Sequence, residues 1–131
     1  MSKSITFSQL EVNIKLSMGI VLFLVAVVLF IPLTIINFFC VLWKYRIKWS
    51  TINGFFHETA IDIDRFGNRN FRTLLNMTLQ SNGYQFGNIN ETISSALGKN
   101  KRDNTLTKVG LLLCYILDSI DENHCIKSIS E

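Results

Sequence analysis

Between Asn90 and Cys125 the chain carries residue types from which a reactive site could be assembled: Asn90, Glu91, Thr92, Ser94 and Ser95, then Lys99, Lys101 and Arg102, and finally His124 and Cys125. A phosphate cradle needs a Gly-rich turn with Lys followed by a hydroxyl; Gly98-Lys99-Asn100 lacks the hydroxyl and follows a helix-forming run, not a strand. A metal centre needs several His, Cys or carboxylates at ligand spacing, whereas His124-Cys125 is an isolated adjacent pair, so neither a metal nor a cofactor is expected. A hydrolytic site needs a nucleophile, a base and an orienter. His57 and His124 are the only histidines, which leaves Glu91 with His124, or Ser94 with His124, as the enzymatic alternative.

The same residues have a simpler reading. Asn88 or Asn90 caps a short helix, Glu91 is its favourable first residue at the positive end, Gly98 stops it, and 99–104 is a solvated basic loop. No catalytic residue is assigned on this reading, and the protein is expected to be non-enzymatic.

What must position these residues begins with a long apolar run. The 131-residue chain is 48% hydrophobic, and the excess is local: Leu16 to Trp43 runs 28 residues without Asp, Glu, Lys or Arg. As a helix this reaches about 42 Å at ~1.5 Å per residue, more than the ~30 Å hydrocarbon thickness. It therefore reads as one transmembrane helix over 16–43, behind a short N-terminal segment 1–15. A signal peptide would end its apolar run at a small-x-small site, and none follows. Two spans would leave each about half the required length, so Pro32 is expected to kink one helix, not to separate two. Ser8-Gln9-Leu10-Glu11 has the form of a capping box that would start the helix.

Past the span, residues 44–50 form a juxtamembrane collar, which together with the end of the run supplies Trp43, Lys44, Tyr45, Arg46, Lys48 and Trp49. Rings and cations of this kind suit the interface with lipid headgroups. Lys44, Arg46 and Lys48 outweigh Lys3, Lys15 and the amino terminus, so the positive-inside bias places the C-terminal part in the cytoplasm.

Residues 51–131 are expected to form a small domain of about three to four helices, making the fold all-α. A helix over 51–79 would gather Ile52, Phe56, Ala60, Ile63, Gly67, Leu74 and Met77 on one face, with Glu58, Asp62, Arg65, Arg69 and Arg72 opposite. An Asp62–Arg65 pair follows from that spacing. Residues 80–88 read as a turn or short extended excursion. Thr105 would cap a last long helix whose inner face is Leu106, Val109, Leu113, Ile116, Leu117 and Ile120. Leu111 and Tyr115 fall away from that face, as a candidate contact for the span, for lipid or for a second copy. Asp121-Glu122-Asn123 starts a final turn. Helix 51–79 would pack on helix 105–120, with 91–97 closing the bundle. The cysteines Cys114 and Cys125 read as small hydrophobes, and Asn76 and Asn90 head two glycosylation sequons, to which a cytoplasmic placement gives no role.

Ile63-Asp64-Arg65-Phe66-Gly67-Asn68, the run Gly87 to Ser95, and Asp118 with Asp121-Glu122-Asn123-His124-Cys125 together resemble a pattern in a group of small, uncharacterised proteins of tailed bacteriophages and prophages. That group shows Asp-Gln-x-x-Asn, Gly-Gly-x-x-Asp-Glu-Thr-Leu-Ser and a closing Asp-His-Cys, often near lysis genes. The resemblance covers roughly residues 60–129 and not the span. Asn90 stands where the pattern favours Asp, Arg65 where it favours Gln, and Asn123 precedes His124; since Asn90 cannot ionise, a capping role survives the change better than an acidic or ligating one. The resemblance implies a phage or prophage setting and a bacterial inner membrane.

The functional expectation is a single-pass membrane protein whose domain binds a protein partner or itself at the lipid surface. Two alternatives stand beside it. One is a holin-like lysis protein. The other is a membrane-tethered nucleic-acid binder using Arg65, Arg69, Arg72, Lys99, Lys101 and Arg102, against which eleven cations and nine acids in 44–131 leave only +2.

Overall fold

The computed structural model describes residues 6–130, which are helical throughout apart from the connecting segments. Lys3 and the amino terminus, used above in the charge comparison, lie outside the described residues. The chain divides into two compact units, Met1–Asn53 and Gly54–Glu131.

The first unit is dominated by α1 (Phe7–Tyr45), which runs unbroken through Pro32. Its Ser17–Tyr45 portion is long and apolar enough to cross a membrane, and none of that window's side chains is buried. Residues 7–15, ahead of the apolar run, are the first turns of this helix, a start close to the one expected at Ser8. The expected capping box is not formed: Thr6 occupies the N-cap without a side-chain cap bond, and Ser8 lies inside the first turn. At the other end Arg46, at φ +62°, turns the chain out of α1, and α2 (Trp49–Asn70) begins three residues later.

Between 51 and 79 the single expected helix is two, α2 and α3 (Arg72–Thr78). The break falls at Phe71, whose φ −98° and ψ 11° leave the helical well. Two side chains occupy carbonyls of the last turns of α2: Asn70 Nδ2 donates to Phe66 O, and Arg72 Nη1 donates to Arg69 O at 2.9 Å. Such local bonds give the backbone an alternative to continuing the helix.

The buried face also differs from the expected one. Phe56, Ile63, Leu74 and Met77 are exposed; of the expected face α2 buries Gly67, and beside it Asn68, which was not expected there. The apolar stripe is real, but α2 is attached to its neighbours largely by polar side chains, so beyond Gly67 the stripe does not mark the packed side.

At the centre stands α4 (Ile93–Arg102), which packs on both α5 (Lys108–Ile120) and α6 (His124–Lys127); those two also touch each other. The segment expected merely to close the bundle is its axis. Gly98 does not stop α4 but lets α6 approach, since a Cβ there would overlap the Cys125 carbonyl oxygen. The helix continues through Lys99 to Arg102, four of the six residues expected as a basic loop, and beyond its C-cap Asp103 the chain turns at Asn104, in the left-handed region at φ +57°. Thr105 N bonds Asn100 O at 2.9 Å and Asn104 N bonds Lys101 O at 3.2 Å, the paired bonds of a Schellman end with Asn in the place usually taken by Gly.

Thr107, not Thr105, caps α5 by accepting from Gly110 N at 3.2 Å, while its hydroxyl donates to Thr78 O. Residues 79–81 and 105–107 pair briefly as antiparallel backbone, Ser81 N to Thr105 O and Thr107 N to Leu79 O, which ties the end of α3 to the start of α5. The core is small: Leu79, Phe86, Ala96, Leu97, Cys114 and Cys125, with Leu106, Leu113 and Leu117 packed against it. Of the expected inner face of α5, Val109, Ile116 and Ile120 are exposed instead, because α4 and α6 cover only the side carrying Gly110, Cys114 and Leu117. Both core cysteines are free thiols. Burial pushes both thiols up from their ordinary values, the behaviour of inert packing groups.

Candidate functional site

The N-terminus of α4 is where the singled-out residues converge. A helix start leaves its first amide hydrogens unpaired, and each must find an acceptor. Here Thr92 is the N-cap, accepting from Ser95 N at 3.0 Å. Asp64, reaching over from α2, accepts from Ile93 N at 3.0 Å, from Ser94 N at 3.4 Å and from Ser94 Oγ at 2.8 Å. The carboxylate that complements the positive helix end is thus Asp64, not Glu91. Neither Asn88 nor Asn90 is the cap; Asn88 Oδ1 accepts from Asn90 N and closes the turn before it.

Glu91 has turned inward, and only 2% of it is exposed. Its Oε1 accepts from Lys99 Nζ at 2.7 Å and from Ser95 Oγ at 2.6 Å, and its Oε2 accepts from Tyr84 OH at 2.7 Å. Lys99 Nζ also lies 4.4 Å from the centre of the Tyr84 ring, where the face of the ring attracts a cation. Burial opposes the charge on Glu91, but the bonds from Lys99, Ser95 and Tyr84 outweigh it and hold the carboxyl below its ordinary value. The bond to Glu91 raises Lys99 in turn. Both groups are therefore ionised at neutral pH, and each is held by its partners. Ser95 Oγ further accepts from Ser130 N at 2.9 Å, which pins the C-terminal segment over the cluster.

Polar side chains also fix the 80–91 segment from three sides. Asn68 Nδ2 donates to Asn88 O at 3.1 Å and Glu91 O at 2.7 Å, while its Oδ1 accepts from Gly87 N at 3.0 Å. Asn76 brackets Phe86, accepting from its N–H at 2.8 Å and donating to its carbonyl at 3.0 Å. Asn100 donates to Tyr84 O and Ala96 O and accepts from Thr105 Oγ1. Sequence reading missed all three in these roles. The available signal was placement: Asn is a poor helix former, and Asn68, Asn76 and Asn100 stand inside helices.

At the far side of α4, Asp118 bridges two elements. Its Oδ2 meets Lys101 Nζ at 2.5 Å and its Oδ1 accepts from Cys125 N at 3.0 Å. The Lys101 bond, with that of the Cys125 amide, holds Asp118 below its ordinary value. His124 pairs with Asp121 through Nδ1 at 3.1 Å. The structure thus brings Glu91 to Lys99, Ser95 and Tyr84, and His124 to Asp121. Ser94 is taken by Asp64.

The six cations named as anion binders each have a partner in the chain. Arg65 lies 3.7 Å from Asp62, the pair expected from spacing. Arg69 reaches Gly87 O at 3.4 Å and Arg72 reaches Arg69 O. Lys99, Lys101 and Arg102 face Glu91, Asp118 and Asp103, within α4 and not on a loop. Arg65, Asn90 and Thr92, with Ile61, Ser128 and Ser130, line a shallow cleft of about 220 Å³. In the collar, Trp43, Lys44, Tyr45, Arg46, Lys48 and Trp49 are all exposed, and Lys44 Nζ lies 5.4 Å from the centre of the Tyr45 ring.

A scan against family models and searches of curated proteins and of solved structures returned no match.

Proposed function

We propose that this is a single-pass membrane protein whose helical domain is held at the lipid surface, on the cytoplasmic side, and there binds a protein partner or a second copy of itself without performing a reaction. The observation that carries the reading is Ser17–Tyr45: a continuous apolar helix with none of its side chains buried. At about 1.5–3 kcal/mol for each large apolar side chain left in water, such a helix in solution would cost tens of kcal/mol. A bilayer removes that cost, and the exposed Trp43, Lys44, Tyr45, Arg46, Lys48 and Trp49 suit its headgroup region. A phage or prophage setting, implied by the motif resemblance, agrees with a small inner-membrane protein.

Two features support a protein partner over nucleic acid or catalysis. The six cations that would bind phosphates already serve carboxylates and carbonyls of the chain. Glu91, the carboxylate named for the hydrolytic alternative, has its oxygens committed to Lys99, Ser95 and Tyr84. The test is fractionation of cells expressing the full chain. It is expected to stay with membranes through an alkaline carbonate wash, and its C-terminal residues are expected to be digested only when the cytoplasmic face is open to protease. Release by carbonate would sink the membrane reading, and digestion from the outer face would invert the orientation.

A further inference from the structure

We propose, on the membrane reading above, that α2 lies in the plane of the lipid surface with its apolar stripe sunk at the boundary between headgroups and acyl chains. The stripe is Ile52, Phe56, Ile63 and Phe66, which at about 100° per residue fall within roughly 80° of one another, with Trp49 opening it. Trp49, Ile63 and Phe66 are 81%, 58% and 60% exposed, and Phe56, in edge contact with Phe55, is exposed as well. The domain is held by a different side of the helix. Asp64 and Asn68, whose bonds reach Ile93 N, Glu91 O and Gly87 N, stand more than about 100° around from the middle of the stripe. His57, Glu58, Asp62, Asp64, Arg65 and Arg69, the ionisable residues of α2, all fall outside it.

The connection to α1 selects the occupant. Only Arg46, Ile47 and Lys48 separate the end of α1 from Trp49, a reach of at most about 14 Å if fully extended. The link is not extended: Lys48 N bonds Arg46 O at 2.9 Å, and Thr51 N and Ile52 N both bond Lys48 O, so the turn runs directly into the first turn of α2. That first turn belongs to the same compact unit as the apolar helix. Ser17–Tyr45, 29 residues, is about 43 Å long at ~1.5 Å per residue, against ~30 Å of hydrocarbon and ~40–45 Å with headgroups, which leaves its Tyr45 end in the headgroup layer. The stripe therefore begins at the lipid surface, and no second chain is needed to cover it. Its chemistry agrees. A helix lying in the interface carries aromatic side chains toward the acyl boundary and its charges on the watery side; here Trp49, Phe56 and Phe66 stand on the stripe, with Glu58, Arg65 and Arg69 around the helix from it. Lys44, Arg46 and Lys48, exposed at the entry, complement headgroup phosphates.

The test places the full chain in nanodiscs of phosphatidylcholine and phosphatidylglycerol, in a Cys40→Ser background whose remaining thiols, Cys114 and Cys125, are buried. A nitroxide is attached to one introduced cysteine at a time: Ile63→Cys, Phe66→Cys, Glu58→Cys and, within the span, Val28→Cys. All four positions are exposed, so circular dichroism should not change. Relaxation by dissolved oxygen, which concentrates in lipid, is compared with relaxation by a water-soluble nickel chelate. Labels at Ile63 and Phe66 should show an oxygen-to-nickel ratio at least about threefold that at Glu58, as for side chains sunk ~5–10 Å into the boundary. Ratios equal to that at Glu58 put the stripe in water and overturn the proposal. Labels shielded from both reagents overturn it too, since a protein then covers the stripe. Val28 reports on the span separately. A lipid-like Val28 with a water-like Ile63 sinks the placement of α2 alone, whereas a water-like Val28 with lipid-like Ile63 and Phe66 supports that placement and sinks the span.

Discussion

Lys99 Nζ lies 2.7 Å from Glu91 Oε1, joining the middle of α4 to the residue just ahead of its cap, and the pair is nearly sealed from water, with side chains 15% and 2% exposed. Removing one partner of such a pair strands the other, and the cost is larger than the pair's own contribution. Lys99→Ala is expected to destabilise the domain by about 3–5 kcal/mol. Glu91→Gln with Lys99→Met should cost much less than the two single changes added together. Urea unfolding of the four variants of the cycle, read by hydrogen exchange of the buried amides of α4, measures the difference.

The same pair sets a pH window. Glu91 and Asp118 titrate below their ordinary values in the fold. Their contribution is complete above the unfolded values of about 4 and is lost as pH falls through the folded ones. Lys99 and Lys101 titrate above theirs. Their contribution is complete below about 10.4 and is lost as pH rises through the raised values. A stability plateau between roughly pH 5 and 10 is expected, falling on both sides. Glu91→Gln should flatten the acid limb, which thermal melts across pH will show.

Asn68 holds the 87–91 segment with three hydrogen bonds while fully buried itself. Asn68→Ala leaves two carbonyls and one amide hydrogen in want of partners, at about 1–3 kcal/mol for each group that water cannot reach. Asn68→Asp should be no better, because a carboxylate cannot donate to Asn88 O and Glu91 O. Hydrogen exchange at Gly87 should quicken in Asn68→Ala, while Leu117 in α5 should change less, and urea unfolding should show both variants destabilised.

Gly98→Ala pits two effects against each other. Alanine favours a helix interior by about 1 kcal/mol, but its methyl would overlap Cys125 O and crowd Ile129. Overpacking of this kind costs about 1–3 kcal/mol, so a net loss is expected. It should appear in the melting temperature and as new reactivity of the Cys125 thiol when α6 is displaced.

Local chemistry was legible where the chain supplies both partners within a few residues. The Asp62–Arg65 pair and the final turn at His124 follow from spacing, and one helix instead of two around Pro32 follows from the length of the apolar run. The candidate site was legible in composition but not in roles. Glu91 looked like a helix-end acid because it stands beside the cap, yet Asp64, about thirty residues earlier, fills that place and leaves Glu91 for Lys99. Gly98 looked like a stop because glycine commonly ends helices, and only the carbonyl of Cys125 pressed against it explains why a glycine stands inside this one.

The amino-acid order by itself determined that the described chain is helical, that one helix is long and apolar enough to cross a membrane, and that an amphipathic helix follows it. Tertiary structure alone decided which sides of the later helices are covered. Periodicity marks every apolar stripe alike, and a domain whose core is this small covers some of them and leaves others bare. The choice fell to Asp64, Asn68, Asn76 and Asn100, whose hydrogen bonds reach groups distant in sequence and carry no periodic signal. Those bonds hold α2 by its polar side, and α4 takes the centre between α5 and α6, leaving the outer side of α5 uncovered.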